Sequence, residues 1–294
     1  MNGIINIYKE KGYTSHDVVA VVRRILKQRK VGHTGTLDPL AEGVLPICVG
    51  KATRLADYIM NGVKGYRAGI ILGVVTDTQD AGGVVLSRRP VTVSREKVCE
   101  CVRAFTGGYN QIPPMYSAIK VGGERLYKLA REGKSIPRSP RRVEIYEISI
   151  HEFVSDTEAV IDVLCGKGTY IRTLCADIGE KLGCGAYMSA LLRTRSGDFT
   201  VEGAITLGGL QELALDGRAE DCITPSSYVL RRYRSVMIKV FNEKLLWNGN
   251  KLRIDQVSGN KPADGECVLV CDIRDMPVAL YRNNGGFLRC EIML

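Results

Sequence analysis

The sequence has few histidines, no cysteine pair at zinc-binding spacing and no apolar run long enough to span a membrane. Its 294 residues include three histidines and one tryptophan, and its ten cysteines form no C-x-x-C pair. The closest pairs, Cys99 with Cys101 and Cys267 with Cys271, have spacings that do not favour a structural zinc site. The longest apolar stretch, around Gly69 to Val75, has the length of a strand and is too short to cross a bilayer.

The first residues also lack the features of an export signal. The segment MNGIINIYKEKG has no basic start, no long apolar stretch and no small-residue cleavage site. We therefore expect a cytoplasmic protein whose cysteines are free thiols. With 294 residues and a hydrophobic content of 45%, the chain can bury a core that needs no disulfides.

Positive charge is the property that the sequence has in excess. The net charge is +9, and such a balance attracts polyanions, of which nucleic acid is the usual one in the cytosol. A generically basic surface would give the same total, but here the charges are clustered. Three short segments hold them: Arg23, Arg24, Lys27, Arg29 and Lys30; Arg131, Lys134, Arg138, Arg141 and Arg142; Arg231, Arg232 and Arg234. Charges this dense repel one another unless phosphates intervene, so the clusters favour a nucleic-acid partner.

Strand-like and helix-like segments follow one another without the regular rhythm of a doubly wound sheet. Ser15 is predicted to cap a helix, because apolar residues recur at helical spacing from Val18 to Leu26. Residues 31–50 are punctuated by glycines and prolines and are interpreted as a structured loop with short pieces of strand or helix. We predict further strands at 3–8, 66–75, 144–154 and 158–165, and further helices at 52–60, 94–105, 124–132 and 169–182. This mixture is typical of an α+β fold.

A change of pattern near the end of the chain predicts two domains. A basic run interrupts the sequence between Pro225 and Ser235, and short strand-like segments separated by Gly, Asn and Asp turns follow it. We therefore predict a large domain over residues 1–228 and a small β-rich domain over residues 229–294.

The segment GHTGTLDPLAEG at residues 32–43 is the most informative part of the sequence. It does not lead into a phosphate-binding P-loop at Gly50-Lys51, because Leu45 stands where that motif needs its first glycine and Ala52 replaces its Ser or Thr. What remains is Asp38, fixed between glycines and a proline that favours an extended backbone. An aspartate that only caps a turn before a proline would have the same local sequence.

Asp38 belongs to a set of motifs that occur in a fixed order. These are GHTGTLDPLAEGVLP at 32–46, KGYR at 64–67, TDTQDAGG at 76–83, IPPMYSAIKVGGERLYKLAREG at 112–133 and KGTYIRTL at 167–174. Over residues 3–199 the chain closely resembles the bacterial tRNA pseudouridine-55 synthase (TruB) family, which is related to archaeal and eukaryotic box H/ACA synthases. The resemblance implies a mixed, largely antiparallel sheet flanked by helices, and a small PUA-like RNA-binding domain at the carboxyl end.

The resemblance places Asp38 at the position of the catalytic aspartate of pseudouridine synthases. It also implies that Arg172 pairs with this carboxylate, and that Tyr66 stacks on the target base and takes part in proton transfer at C5. Converting uridine to pseudouridine exchanges no electrons and no phosphoryl group, so no cofactor and no metal is expected. A carboxylate can attack C1′, remove a ribose proton or stabilise positive charge, and the sequence does not choose among these routes.

Four further positions match residues that bind substrate in this family. Tyr170 and Leu191 match positions that line the pocket, and Asp80 matches a polar active-site position. His33 matches a side chain that contacts RNA beside the stack vacated by the flipped uridine. The alternatives are a turn aspartate at Asp80 and, at His33, a histidine that only satisfies the loop backbone.

Two more features concern the grip on RNA. Residues 116–142 match an RNA-gripping insertion of the family and contain the second basic cluster. The family pattern usually has arginine where Leu192 stands, so an RNA contact or a local ion pair is expected to be missing there. The implied partner is the T stem-loop of tRNA, with no membrane and no obligatory protein partner.

Three functions are compatible with basic patches around this loop. The first is an isomerase that acts on uridine 55 of tRNA, and the second is a non-catalytic tRNA-binding or RNA-folding protein on the same scaffold. The third is a glycosylase that excises a flipped base. The isomerase is favoured, because only an enzyme needs Asp38 beside Arg172 and Tyr66, and the resemblance indicates a site that retains the detached uracil.

Overall fold

The computed structural model of the protein describes residues 1–117 and 119–294, so Ala118, inside the predicted insertion, lies outside the described residues. The strands of this part of the chain are β1 (Gly3–Lys9), β2 (Val31–His33), β3 (Glu42–Val49), β4 (Lys64–Leu72), β5 (Val74–Thr76), β6 (Val85–Arg88), β7 (Gly107–Gln111), β8 (Lys120–Val121), β9 (Glu124–Arg125), β10 (Arg141–Phe153), β11 (Glu158–Cys165), β12 (Ala186–Ser196), β13 (Phe199–Thr200), β14 (Ile223–Thr224), β15 (Arg234–Met237), β16 (Leu252–Arg253), β17 (Cys267–Cys271), β18 (Pro277–Asn284) and β19 (Phe287–Met293). The α-helices are α1 (Ser15–Ile25), α2 (Ala56–Met60), α3 (Arg95–Arg103), α4 (Leu126–Arg131), α5 (Ile171–Lys181), α6 (Leu207–Leu215), α7 (Ser226–Leu230) and α8 (Glu243–Trp247).

A ten-stranded sheet forms the centre of the molecule. Its order is β14-β1-β3-β12-β4-β11-β10-β7, with β2 beside β3 and β13 beside β12. Only the short contact of β3 with β12 is parallel within this sheet, and the other pairings are antiparallel. The predicted α+β class with a mixed, largely antiparallel sheet is confirmed.

Helices cover the two halves of this sheet separately. Helices α3 and α5 bury apolar side chains against β4, β10, β11 and β12. Helices α1 and α6 do the same against β1 and β3. Successive residues of a strand point to opposite faces. Ile5 and Ile7 of β1 therefore enter the core under α1 and α6, while Ile4 enters a third core on the other face of the sheet. The two halves of the sheet meet where β3 pairs with β12.

The third core joins the large sheet to a small one. A five-stranded sheet, ordered β15-β17-β18-β19-β16, packs Leu269, Leu280 and Ile292 into the cluster that contains Ile4. Polar contacts cross the same junction, including Tyr58 Oη to Glu291 at 2.7 Å. The predicted β-rich unit at the carboxyl end is therefore present. The predicted boundary at residue 228 falls within α7.

Two local predictions were wrong. Residues 42–49 are not a loop with short pieces of strand but form one continuous strand, β3, which pairs with β1 from Gly43 to Val49 despite Pro46. The strand is apolar on both faces and buried, so it lacks the alternation by which strands are recognised. The cap of α1 is Thr14, whose hydroxyl accepts from the Asp17 amide, and not Ser15. Within residues 1–117 and 119–294, no helix is both long and apolar enough to cross a membrane.

Gly43 is the position where the tight β3–β12 contact is most sensitive to a side chain. Its φ is +103°, and a Cβ there would collide with the backbone of Arg193. We expect Gly43→Ala to lower the free energy of unfolding by about 2–4 kcal/mol, since both backbone strain and overpacking add up. Gly183→Ala is the matched control, because Gly183 has φ +80° but open space around it. Thermal or urea unfolding of the two variants measures the difference, and equal losses would contradict this account of Gly43.

Candidate active site

The loop that carries Asp38 is fixed from helix α1. The hydroxyl of buried Ser15 accepts from the Leu37 amide at 2.9 Å and lies 3.3 Å from the Leu37 carbonyl oxygen, to which it donates. Thr34, which is fully buried, donates its hydroxyl to the Pro46 carbonyl at 3.1 Å. These bonds explain why Ser15 is not free to cap its own helix. They also hold the residue before Asp38 against the sheet.

Lys9 fixes the other side of the same loop. Its side chain is fully buried at the end of β1, and Nζ donates to the carbonyl oxygens of Ala41 at 2.6 Å and Pro39 at 3.3 Å. Burial lowers the pKa of Lys9, while the carboxylates of Glu42 and Asp38 act in the opposite direction. Lys9 could not be recognised in the sequence, because a buried lysine at a strand end looks the same there as an exposed one.

Arg172 lies at the centre of the site. Its side chain is 7% exposed, and Nη1 lies 3.2 Å from Asp38 Oδ2 and 3.4 Å from Asp80 Oδ2. Nη2 donates to the carbonyl oxygen of Tyr116, the first residue of the predicted insertion. The Asp38 side chain is 42% exposed whereas that of Asp80 is 16% exposed. One guanidinium therefore joins two carboxylates, of which Asp38 is the one open to solvent.

Contacts at the start of α5 set the position of Arg172. The side chain of buried Gln111 makes two hydrogen bonds to the backbone of Tyr170. Its Oε1 accepts from the Tyr170 N–H at 2.8 Å, and its Nε2 donates to the Tyr170 carbonyl at 3.0 Å. One residue after Arg172, the Thr173 hydroxyl donates to Gln79 Oε1 at 2.7 Å. Gln79 lies in the turn that carries Asp80 and has φ +66°. Its bond to Thr173 therefore ties this turn to the helix that carries Arg172.

Asp80 is held within its own turn. Its Oδ1 accepts from the Thr78 hydroxyl at 2.6 Å and from the Gly82 amide at 2.9 Å. The remaining oxygen, Oδ2, faces Arg172. Asp80 is therefore a constrained partner of the arginine, while its role in the active site stays a prediction.

Tyr66 enters the site from β4, beside Arg193 on β12. The two residues are direct partners in the antiparallel pairing, so their side chains lie on one face of the sheet. Burial raises the pKa of Tyr66, and the charge of Arg193 counteracts this rise. Arg193 itself is 1% exposed. Arg193 could not be recognised in the sequence, since nothing in the segment LLRTRSG distinguishes a buried arginine from an exposed one.

A cleft opens over Asp38 and Asp80. Its other lining residues are Leu40, Ala41, Ala81, Met188, Ser189, Ala190 and Leu191. Tyr170 is close to this group, because the Arg172 guanidinium lies 5.9 Å from the centre of its ring. The structure therefore brings five predicted residues together around the cleft, namely Asp38, Asp80, Arg172, Tyr170 and Leu191, with Tyr66 on the adjoining strand.

His33 lies on the flank of the loop. Its ring is half-buried and packs edge-on against exposed His16, with centroids 5.1 Å apart. Nδ1 accepts from the Gly35 amide at 3.3 Å. Burial lowers the pKa of His33, and His16 lowers it further. The ring is therefore neutral and satisfies the loop backbone, while its contact with RNA stays a prediction.

Metal ligands do not accumulate in the described part of the chain. Over residues 1–117 and 119–294, no group of three or more His, Cys, Asp or Glu side chains could hold a metal ion.

Two family models cover most of the sequence. The model for the "TruB family pseudouridylate synthase (N terminal domain)" matches residues 23–171, and that for the "tRNA pseudouridylate synthase B C-terminal domain" matches residues 172–238. The chain belongs to the TruB family of pseudouridylate synthases. The family resemblance predicted from the motifs is thereby confirmed.

Curated relatives align with the TruB-family chain over nearly its full length. It is 52% identical over 252 residues to the tRNA pseudouridine synthase B of Alkaliphilus oremlandii, which covers 86% of this chain and 83% of the relative. It is 47% identical over 293 residues to the tRNA pseudouridine synthase B of Lachnoclostridium phytofermentans, which covers 96% of this chain and 95% of the relative.

Solved structures share the fold of this TruB-family protein. A chain from the crystal structure of a Cbf5-Nop10-Gar1 complex matches 99% of this chain with a TM-score of 0.77 at 29% identity, and 84% of that chain is covered. A chain from an H/ACA RNP bound to a substrate RNA containing 2′-deoxyuridine matches with a TM-score of 0.73 at 27% identity, covering 99% of this chain and 83% of that one.

Leu192, where the TruB pattern usually has arginine, lies away from the site. It pairs with Arg67 of β4 and with Glu42 of β3. Because Arg193 next to it faces Tyr66, Leu192 points to the opposite face of the sheet. The departure therefore does not touch the Asp38–Arg172 pair.

Lys64 provides a pH test of the interior beside Tyr66. It is 6% exposed and donates to the Ser196 hydroxyl at 3.0 Å. Burial, and next the charge of Arg193, lower the pKa of Lys64 from 10.5 to about 8. Between these values the unfolded chain binds more protons than the folded one, so folding stability rises with pH.

We therefore expect the wild type to gain about 3 kcal/mol over Lys64→Met as the pH rises through this window. Urea unfolding between pH 7.5 and 10.5 measures the gain. Lys11→Met, at an exposed lysine, is the control and should run parallel to the wild type. A parallel curve for Lys64→Met would show that Lys64 titrates normally.

Proposed function

We propose that this protein is a tRNA pseudouridine synthase that converts uridine 55 of the T loop into pseudouridine, with Asp38 as the reacting carboxylate. The observation that carries the proposal is the pairing of buried Arg172, at 3.2 Å, with Asp38, which lines a cleft, in a chain of the TruB family. The relatives at 52% and 47% identity bear the name tRNA pseudouridine synthase B.

The reaction is an isomerisation around one ribose carbon. The bond from N1 to C1′ breaks, the uracil turns within the site, and C5 bonds to C1′. Asp38 supplies the negative charge next to C1′ while that carbon is short of electrons. Since atoms and electrons balance within the nucleotide, the chemistry calls for neither a redox cofactor nor a phosphoryl donor.

Arg172 and Asp80 serve Asp38 in this proposal. A guanidinium at 3.2 Å favours the ionised carboxylate and fixes its direction. Asp80, itself held by Thr78 and Gly82, keeps Arg172 from rotating away. A reactive group that is held in one orientation needs no ordering during the reaction, which accelerates it.

The base-binding roles are proposed from the family resemblance. We assign Tyr66 to stacking on the uracil and to proton transfer at C5, and Tyr170 and Leu191 to the walls of the pocket. A uridine inside a folded T loop reaches this cleft only after it is flipped out. His33, neutral and half-buried at the edge of the Asp38 loop, is assigned to the RNA beside the vacated stack.

Replacing Asp38 tests the proposal directly. We expect Asp38→Asn to abolish pseudouridine formation in unmodified tRNA, because the amide keeps the shape but loses the negative charge. The affinity for tRNA should stay within about tenfold of the wild type, or about 1.4 kcal/mol. Pseudouridine is mapped by chemical labelling of the product, and tRNA binding by filter retention.

The control is Asp57→Asn, at an exposed carboxylate of α2, which should leave the yield unchanged. Undiminished pseudouridine from Asp38→Asn would refute the assignment. Binding without conversion by the wild type would indicate the non-catalytic RNA-binding protein, and release of free uracil would indicate a glycosylase.

We assign the grip on RNA to the insertion at 116–142 and to a small PUA-like domain at 229–294. The insertion touches the site, since the Tyr116 carbonyl accepts from Arg172. Its helix α4 exposes Lys128 and Arg131. In the third basic cluster, by contrast, Arg231 and Arg234 already pair with Asp198 and Glu266, which leaves less charge for phosphates. The T stem-loop is the proposed substrate, acted on in the cytosol without an obligatory protein partner.

Exposed charges of the insertion should act on binding and not on chemistry. We expect the double variant Lys128→Ala with Arg131→Ala to weaken tRNA binding and to reduce the slope of log affinity against log salt by about 1.5–2. The rate at saturating tRNA should remain that of the wild type. Lys97→Ala with Arg103→Ala, at exposed positions of α3, is the control of equal charge. An unchanged salt slope would exclude α4 from the RNA interface.

A further inference from the structure

Arg193 is a buried cation that the proposed reaction has not yet used. It is among the largest fully buried side chains of the protein, and it has no carboxylate among its hydrogen-bond partners in the described part of the chain. Nε donates to the Val44 carbonyl at 2.6 Å, and Nη1 donates to the Thr36 carbonyl at 3.4 Å. Burying a charge without a counter-charge is costly, so a purely structural role would be served better by an uncharged side chain.

One nitrogen of this guanidinium is left over. Nη2 is buried and has no hydrogen-bond partner within residues 1–117 and 119–294. A buried donor without a partner is rare in folded proteins. The Tyr66 phenol is the neighbouring group able to accept, because Tyr66 and Arg193 are cross-strand partners on the same face of the sheet.

The titratable groups near Arg193 include the buried lysines Lys9 and Lys64 and the neutral ring of His33. Burial raises the pKa of the Tyr66 phenol, and Cys165 and Asp38 raise it further, whereas Arg193 lowers it. Lys9, His33 and Lys64 each respond to the charge of Arg193, which lowers their pKa. Arg193 is therefore the neighbouring charge that favours a negative oxygen at the end of this ring, and it lies directly opposite Tyr66 in the sheet.

We propose that Arg193 is a positioning residue that directs the Tyr66 hydroxyl at C5 of the rotated uracil and stabilises its phenolate through Nη2. This role rests on the proposed function, in which Tyr66 handles the proton at C5. Arg193 also holds the Asp38 loop through the Thr36 carbonyl, so one side chain sets the positions of both reacting groups.

The proton transfer balances as follows. After C5 has bonded to C1′, the hydrogen on C5 leaves as a proton to the phenolate oxygen of Tyr66. The pair of the C5–H bond forms the C5–C6 double bond, and the C6–N1 π pair moves to N1, which takes a proton from water. Tyr66 then returns its proton to water. No oxidant or reductant takes part, and the product is an isomer of the substrate.

A double-mutant cycle on C5 deprotonation separates this role from a structural one. Tritium released from tRNA labelled at C5 of uridine is measured under single-turnover conditions for the wild type, Arg193→Met, Tyr66→Phe and the double variant. In a chain that keeps Tyr66, Arg193→Met should slow the tritium release by about 100-fold, a typical contribution of general acid–base catalysis. In the Tyr66→Phe background the same substitution should cost less than about threefold, because its target is gone.

The pH dependence supplies a readout that a structural role does not move. With Arg193→Gln the rate of tritium release should reach its plateau about one pH unit higher than in the wild type, because the phenolate has lost its opposite charge. Arg195→Met is the control, since Arg195 lies two residues along β12 but is exposed and donates to the Gly197 carbonyl. Its profile should coincide with that of the wild type.

A more acidic phenol keeps the test decisive if the uncharged variants fail to fold. Arg193→Lys retains a cation but loses the fork of the guanidinium, and 3-fluorotyrosine at position 66 should restore part of its lost rate. Additive losses in the cycle, an unshifted pH profile or no rescue by fluorotyrosine would each overturn the role of Arg193. If the wild type itself releases no tritium from tRNA, the proposed function fails and not this inference alone.

Discussion

The active site depends on one buried guanidinium that faces two carboxylates. Arg172 is nearly inaccessible to solvent, yet it lies within 3.4 Å of both Asp38 and Asp80. A charge in this position would be strongly unfavourable without anionic partners, so the fold must bring two distant turns to the start of α5. Gln111 fixes the backbone before Arg172, and Gln79 joins the Asp80 turn to the residue after it. Arg172 contacts Asp38 from the protein interior, so the carboxylate of Asp38 keeps its other side exposed to solvent.

The rigidity of the Asp38 loop has a separate origin. Ser15 from α1 and Lys9 from β1 bond to the backbone on either side of Asp38. Both residues belong to the half of the sheet that α1 and α6 cover, whereas Arg172 belongs to the other half. The carboxylate and its guanidinium are thus held by different cores, which meet where β3 runs beside β12. Precise positioning of a reacting group is among the largest contributions that a protein makes to catalysis.

Buried positive charge is the common property of the sheet behind the cleft. Lys9, Lys64 and Arg193 are all buried, and each donates to a backbone carbonyl or a hydroxyl, although Nη2 of Arg193 has no partner in the described part of the chain. A positive interior suits a substrate whose backbone is anionic. In the proposed function the exposed basic residues act on encounter with RNA, while buried Lys9 and Arg193 hold the backbone of the Asp38 loop.

The sequence alone determined the family, the α+β class and the residues around the cleft, because each of these is recorded in contiguous motifs. The loop of Asp38, the KGYR strand and the KGTYIRTL helix start could be recognised without knowing how they meet. Only the tertiary structure decided that Ser15 anchors a loop, that residues 42–49 form a central strand, and that Arg193 lies opposite Tyr66. The physical reason is that these properties arise from pairing between distant segments. A strand buried on both faces has no alternating pattern, and a buried arginine is written in the sequence with the same letter as an exposed one.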